Sequence, residues 1–230
     1  MKTNVTILSL LLFMAVVFSA QAQNSQTRTP GSFTQIETGG SWDVFITKGN
    51  RDEIRLESET FDLNKVITEV TGQKLEIKLE KGNYRNVDLE VYITVRELES
   101  VGVSGSGNVQ LLSDFGSDEF SLGSSGSGVI ETKNILADNL KVGMSGSGEI
   151  RIAGGKVENL NVNQSGSGNF EGSNLIAQNV KVGKSGSGQT SVYTERSLTV
   201  GSSGSGNVYY RGNPDSKSIG NSGSSRVIKR

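Results

Sequence analysis

Apolar and polar residues alternate through most of the second half of the chain. Phe120/Leu122, Leu140/Val142, Leu160/Val162, Val180/Val182 and Leu198/Val200 are pairs spaced by two. A short Ser/Gly tetrapeptide follows each pair. Two places beyond each tetrapeptide stand Val109, Ile130, Ile150, Phe170, Thr190, Val208 and Val227, all but one of them apolar. A spacing of two puts side chains on one face of a strand. Each unit therefore predicts a strand, a Ser-Gly-Ser-Gly corner, a second strand and a variable turn.

The corner motif begins at Ser104, Ser125, Ser145, Ser165, Ser185 and Ser203, and a degraded copy, Ser-Gly-Ser-Ser, begins at Ser222. The period is close to 20 residues, the mark of a stacked solenoid. A flexible Gly/Ser linker would not carry patterned apolar flanks. In a meander, alternate repeats run in opposite directions and equivalent columns need not match. Here the columns match in consecutive repeats, which predicts parallel, in-register turns about 4.8 Å apart. The seven motif copies span on the order of 30 Å at that rise.

Glycine suits a sharp corner because it enters backbone conformations closed to other residues. Serine is small enough to stack, and its hydroxyl both donates and accepts, so a serine column is expected to hydrogen-bond along itself. Asn139, Asn159 and Asn179 form a second column and predict an amide ladder. The shorter repeat near Ser197 lacks this Asn, so the ladder should end there.

Residues 1–100 hold only 6 of the 30 glycines. Strand-like runs occupy Phe33–Ile36, Trp42–Ile46, Ile54–Leu56, Leu75–Leu79 and Val87–Val95, separated by Gly-containing turn signals such as Gly39-Gly40 and Gly49-Asn50. Phe61–Val70 has room for one helical turn. Residues 33–100 read as a separate β domain or as the irregular start of the same solenoid. The second is the expectation, because terminal repeats must cover the apolar end. Residues 101–230 are the regular part, continuous with 33–100.

Before these, Met1-Lys2, an apolar run from Val5 to Phe18 and Ala20-Gln21-Ala22 fit a cleavable export signal over residues 1–22. The run is shorter than the ~20 residues that span a bilayer. Residues 23–32 read as a polar lead. The expected mature chain is exported to the periplasm, outer surface or medium, without a membrane span.

Composition narrows the chemistry. There is no His and no Cys, which removes His-based catalysis, thiolate metal sites and disulfides. Lys+Arg number 23 and Asp+Glu 24, so no basic excess marks a nucleic-acid binder. Glu131, Arg151 and Glu171 share one column and read as surface charge pairing. The alternative, Glu131 and Glu171 as paired carboxylates, would place them roughly 10 Å apart with an arginine between. Asp114, Asp118 and Glu119 lie together in one longer inter-repeat segment. They are the candidates for metal-assisted or hydrolytic chemistry, against a solvated loop. Calcium β-roll repeats carry Asp in each turn, where this chain carries Ser. Asn163-Gln164-Ser165 matches a glycosylation acceptor by chance. No catalytic, cofactor-binding or metal residue is assigned.

The opening Phe33, Ile36, Gly40, Asp43, Val44, Ile46 and Gly49, the run Thr68-Glu69-Val70, Gly72, Leu75 and Ile77, and the Ser-Gly-Ser-Gly repeats together resemble the auto-transporter adhesin, head GIN domain family. The resemblance covers roughly residues 33–210. It implies a right-handed parallel β-helix, similar in shape to pectin lyases without their catalytic residues, and a role in cell adhesion. Only about 22 residues follow Val208, so no C-terminal barrel is expected in this polypeptide. The expected function is a non-enzymatic adhesin or envelope interaction module, with a glycan or cell-surface ligand and possible self-association through the rod's ends. A polysaccharide-acting enzyme and a purely structural envelope component are the alternatives.

Overall fold

The structure is a computed structural model that describes residues 24–230. The export signal expected over residues 1–22 lies outside the described residues. The chain is a nearly all-β solenoid of about six turns. All the described strands belong to one curled sheet.

The first part contains β1 (Asn24–Arg28), β2 (Gln35–Gly40), β3 (Asp43–Lys48), β4 (Glu53–Ser58), β5 (Val66–Thr71), β6 (Lys74–Leu79), β7 (Glu90–Val95), β8 (Ser100–Gly105) and β9 (Asn108–Leu111). β2 and β3 form the first turn. β2 lies parallel between β6 and β8, and β3 lies parallel between β7 and β9. The remaining strands cover the outer end in antiparallel fashion, β5 on β6, β4 on β7 and β1 on β4. The single helical turn allowed between Phe61 and Val70 is a 3-10 turn at Leu63–Lys65.

Residues 24–28, read from sequence as part of a polar lead, are strand β1. Their polar side chains hide the pattern because only one edge of this strand is paired. Arg28 ties β1 to the far side of the cap, donating to the carbonyls of Leu63 (2.8 Å) and Val66 (2.5 Å) and to Thr68 Oγ1 (3.1 Å).

The regular part runs through β10 (Phe115–Gly126), β11 (Val129–Gly146), β12 (Glu149–Gly166), β13 (Asn169–Gly186), β14 (Thr190–Gly204), β15 (Val208–Arg211), β16 (Ser216–Gly223) and β17 (Val227–Lys229). Every pairing among these is parallel. From β11 to β12 the register repeats residue for residue: Leu140 faces Leu160, and Val142 faces Val162. The segment expected as a variable turn is instead a third wall. Asn134–Ala137 pair with Gly154–Val157, and inward Phe115, Ile135, Val157 and Leu175 are buried there. Inward positions of all three walls, such as Phe120, Ile130 and Ile135, merge with Val44, Ile46 and Val91 of the first part into one core. Burial of this continuous apolar interior is what drives the stacking, since one turn cannot cover its own apolar face.

Corners are held by backbone. The amides of Ser127 and Gly128 both donate to the carbonyl of Gly105, at 2.8 and 2.9 Å, and the same fork recurs from turn to turn. Corner serines therefore contribute mainly through size. Among the described residues the exposed corner hydroxyls bond along the stack at Ser187 and Ser205, 3.1 Å apart. The wider hydroxyl ladder expected from sequence does not form, because the amides already join the turns. The two corner glycines meet different demands. Gly126 has φ of +132°, open only to glycine at low cost. Gly128 has an ordinary φ, but a Cβ there would lie 2.5 Å from the carbonyl oxygen of Gly107 in the turn before. In the first turn the corner is Gly39-Gly40-Ser41-Trp42. Trp42 fills it, buried, with Nε1 donating to Thr38 Oγ1 at 3.0 Å.

The amide ladder forms. Asn159 Nδ2 donates to Asn139 Oδ1 at 3.0 Å, and Asn179 Nδ2 donates to Asn159 Oδ1 at 3.1 Å. Ser197 Oγ closes it on Asn179 Oδ1 at 2.8 Å, at the repeat where the sequence loses its Asn.

Candidate functional site

The wall that ends in the corner motif carries the most regular surface. One outward column runs Glu76, Glu37, Gly102, Gly123, Gly143, Asn163, Gly183, Gly201 and Gly220. Beside it runs the row of exposed corner serines, Ser104, Ser125, Ser145, Ser165, Ser185 and Ser203. On the other side lie Ser121, Lys141, Asn161 and Lys181. The glycine column is the floor of an open trough of about 660 Å³.

These glycines differ from those of the corner. None has a positive φ. A Cβ on Gly143 or Gly201 would meet nothing within 4 Å, and on Gly102, Gly123 or Gly220 only ordinary contacts at 3.7 Å or more. At Gly183 the one neighbour is the side-chain oxygen of Asn163, at 2.9 Å. Glycine inside a strand costs roughly 0.5–1 kcal/mol relative to alanine. Neither backbone conformation nor packing within the chain demands it here. A mid-strand glycine with no internal need fits a place where something else approaches the backbone closely.

The carboxylates weighed from sequence are scattered. Arg151 sits between Glu131 and Glu171 in the register, as expected. It pairs with Glu131 at 2.6 Å and with Glu149 of its own turn at 2.5 Å. Glu171 turns away and accepts from the amide of Ser173 at 3.0 Å. The arginine's pKa is raised, by hydrogen bonds first from Glu149 and then from Glu131. This is a charge-paired surface strip. Asp114 accepts from Asn134 N and Nδ2, at 3.3 and 3.0 Å, while Glu119 pairs with Lys141. Asp118 points from the third wall with neither. Among the described residues no three acidic side chains converge as a metal site would need. Asn163 is exposed in the trough and donates to Asn161 Oδ1 at 3.2 Å.

Beneath the trough runs a buried column that sequence reasoning did not single out: Val103, Ser124, Met144, Gln164, Lys184 and Ser202, the residue before each corner motif. It turns polar toward the C-terminal end. Burial depresses the Lys184 pKa, and its ammonium donates to the carbonyl of Gly188. The signal was present in the sequence, as one fixed position before each Ser-Gly-Ser-Gly that is polar in every repeat from Gln164 on.

Residues 32–214 match the family described as "Putative auto-transporter adhesin, head GIN domain". The chain belongs to this family. The head GIN domain fold is also seen in solved structures. A "putative adhesin" from Bacteroides fragilis is 20% identical, with a TM-score of 0.87 over 92% of this chain and 98% of that one. A "putative adhesin" from Parabacteroides distasonis is 19% identical, with a TM-score of 0.72 over 92% and 98%. A "putative lipid binding protein" from the same species is 22% identical, with a TM-score of 0.68 over 90% and 96%. At these identities the likeness establishes the fold. No curated protein matches the chain. The family description is that of an adhesin and names no enzymatic activity. Among the described residues no helix is long and apolar enough to cross a membrane.

Proposed function

We propose that this head GIN domain protein is exported by its N-terminal signal and acts, without catalysis, as an adhesin or envelope interaction module. Its ligand is an extended cell-surface chain, a glycan, lying along the glycine trough. Residues 33–100 cap the same solenoid and close its apolar end.

The observation that carries this reading is the glycine column from Gly102 to Gly220, which the chain's own backbone and packing do not require. A smooth floor flanked by serine hydroxyls and the Asn163 amide suits a polymer that repeats along its length. Hydroxyls and amides both donate and accept, which matches the hydroxyl groups of a sugar. The adhesin description of the family supports the same reading.

Purified residues 23–230 would be screened on an array of extended glycans, beside a Gly143→Leu variant. A Cβ on Gly143 meets nothing within 4 Å and the trough above it is open, so the variant should melt like the wild type while losing the ligand. Wild-type protein that binds no glycan, or a variant that binds as well, removes the trough from this role. Protease shaving of intact cells tests location: release of peptides from residues 23–230 without lysis places the protein on the surface.

A further inference from the structure

The third wall carries two features that the chain's own stability does not explain. The first is apolar. Among the described residues four large apolar side chains are exposed, and two of them, Leu136 (53% exposed) and Ile176 (38%), stand on this wall. They share one outward column with Lys156 between them and Tyr193 beyond. The alkyl stem of Lys156 can continue the ridge while its ammonium reaches water.

The second feature is electrostatic. Asp118, Asp138 and Glu158 occupy the next outward position in three successive turns, just before the positions of Glu119, Asn139 and Asn159. All three are exposed. Like charges directly opposite one another on neighbouring strands are unfavourable. Among the regular turns Glu131 faces Arg151 and pairs with it, and Glu119 pairs diagonally with Lys141. Where Glu37 faces Glu76 in the first part, Lys74 and Lys78 pair with them. Among the described residues no ion pair includes Asp118, Asp138 or Glu158. The ridge and the acidic row border one open groove of about 880 Å³. Lys156 is the one cation lining it.

We infer that this wall is a second interaction surface, separate from the glycine trough, and that it receives a protein segment presenting Lys or Arg side chains beside aliphatic ones. Charge complementarity identifies the partner's chemistry. Its cations neutralise the acidic row, and its aliphatic groups cover Leu136 and Ile176. The chain's overall balance of 23 basic and 24 acidic residues makes the row a local feature of this wall. Electrostatic matching of this kind sets partner choice and speeds association, and it weakens with salt.

A short, fluorescently labelled peptide of alternating Lys and Leu serves as the probe, titrated with residues 23–230 and read by anisotropy. Saturable binding is expected. It weakens about tenfold when Asp138→Asn and Glu158→Gln are combined, the scale expected from losing exposed charge pairs. Leu136→Ser with Ile176→Ser weakens it as well, and Gly143→Leu leaves it unchanged. All of these positions are exposed, and an unchanged melting temperature confirms that each variant folds. Absence of binding overturns the proposal. So does equal binding of a control peptide with Glu in place of Lys, or indifference to the wall variants. A dimer in light scattering that the same variants dissociate would assign the wall to a second copy, and a calcium-dependent rise in melting temperature that they abolish would assign it to a cation. Either result overturns the proposal.

Discussion

Gln164 and Lys184 stack in successive turns and perform the same task. Each is buried, and each donates a side-chain N–H across its own corner to the carbonyl four residues on, Gly168 for Gln164 and Gly188 for Lys184. In earlier corners the corresponding carbonyl accepts a backbone amide of the next turn, as Gly128 does from Glu149 at 3.0 Å. The side chains take over where the C-terminal turns lose that bond.

The amide of Gln164 does this without a charge, whereas Lys184 buries an ammonium. Lys184→Gln should therefore keep the hydrogen bond and raise stability by about 1 kcal/mol at neutral pH. Burial lowers the lysine's folded-state pKa below its ordinary value. The penalty is thus full below the folded pKa and disappears as pH rises through it toward the unfolded ~10.4. Urea melts at pH 7 and pH 10 check this, and the variant's advantage should shrink at the higher pH.

The glycine columns predict opposite responses to the same substitution. Gly126→Ala places a Cβ 2.4 Å from the carbonyl oxygen of Gly105 at a φ of +132°. It should cost about 3 kcal/mol or more. Gly143→Ala meets open space and should be neutral, or stabilising by up to about 1 kcal/mol. Paired thermal melts of the two variants distinguish them.

Asn159 holds the centre of the amide ladder. Asn159→Leu leaves Asn139 Oδ1 and Asn179 Nδ2 without their partners and should cost about 2 kcal/mol. Ser197→Ala removes only the closing bond and should cost about 1 kcal/mol or less. Chemical denaturation midpoints with unchanged m-values would check both.

Asp88 organises the turn after β4. Burial alone would raise its pKa, but hydrogen bonds from the Ser58 hydroxyl and from the Thr60 amide and hydroxyl outweigh this and bring it to about 2. A depressed carboxyl contributes stability above its unfolded pKa and loses it as pH falls through the folded value. That contribution should fade between about pH 4 and pH 2. Because the residue is exposed, Asp88→Asn should cost only about 1 kcal/mol at pH 7, and most of that cost should be gone at pH 2. Melting curves of both proteins across that range should converge.

The solenoid was legible because its constraint is periodic. Val142 and Val162 had to fall in one column, and a spacing of 20 puts them there. The Asn ladder and its end near Ser197 were legible for the same reason. The third wall was not, since its inward Ile135, Gly155 and Leu175 vary in size and the register shifts between Gly172 and Ile176. Strand β1 was missed because Asn24–Arg28 lacks an apolar alternation and is fixed mainly by backbone pairing and Arg28. The trough was hidden for another reason. Gly143 and Gly146 look alike in a sequence, and only the backbone shows that Gly146 has a φ of +115° while Gly143 has open space above it.

The order of strands around the first turn bears on how the chain assembles. β2 and β3 precede β4 to β7 in sequence, yet they lie between β6–β7 and β8–β9 in space. The chain must therefore complete its cap and then double back before either face of the first turn is satisfied, a step dominated by distant contacts. Every later turn only adds itself to the one before, a local step of about 20 residues. Such an arrangement separates a slow nucleation from a fast, directional elongation. A chain emerging N-terminus first would present the template before the residues that copy it, and shortening the rod from its C-terminal end would remove length while leaving the seed intact.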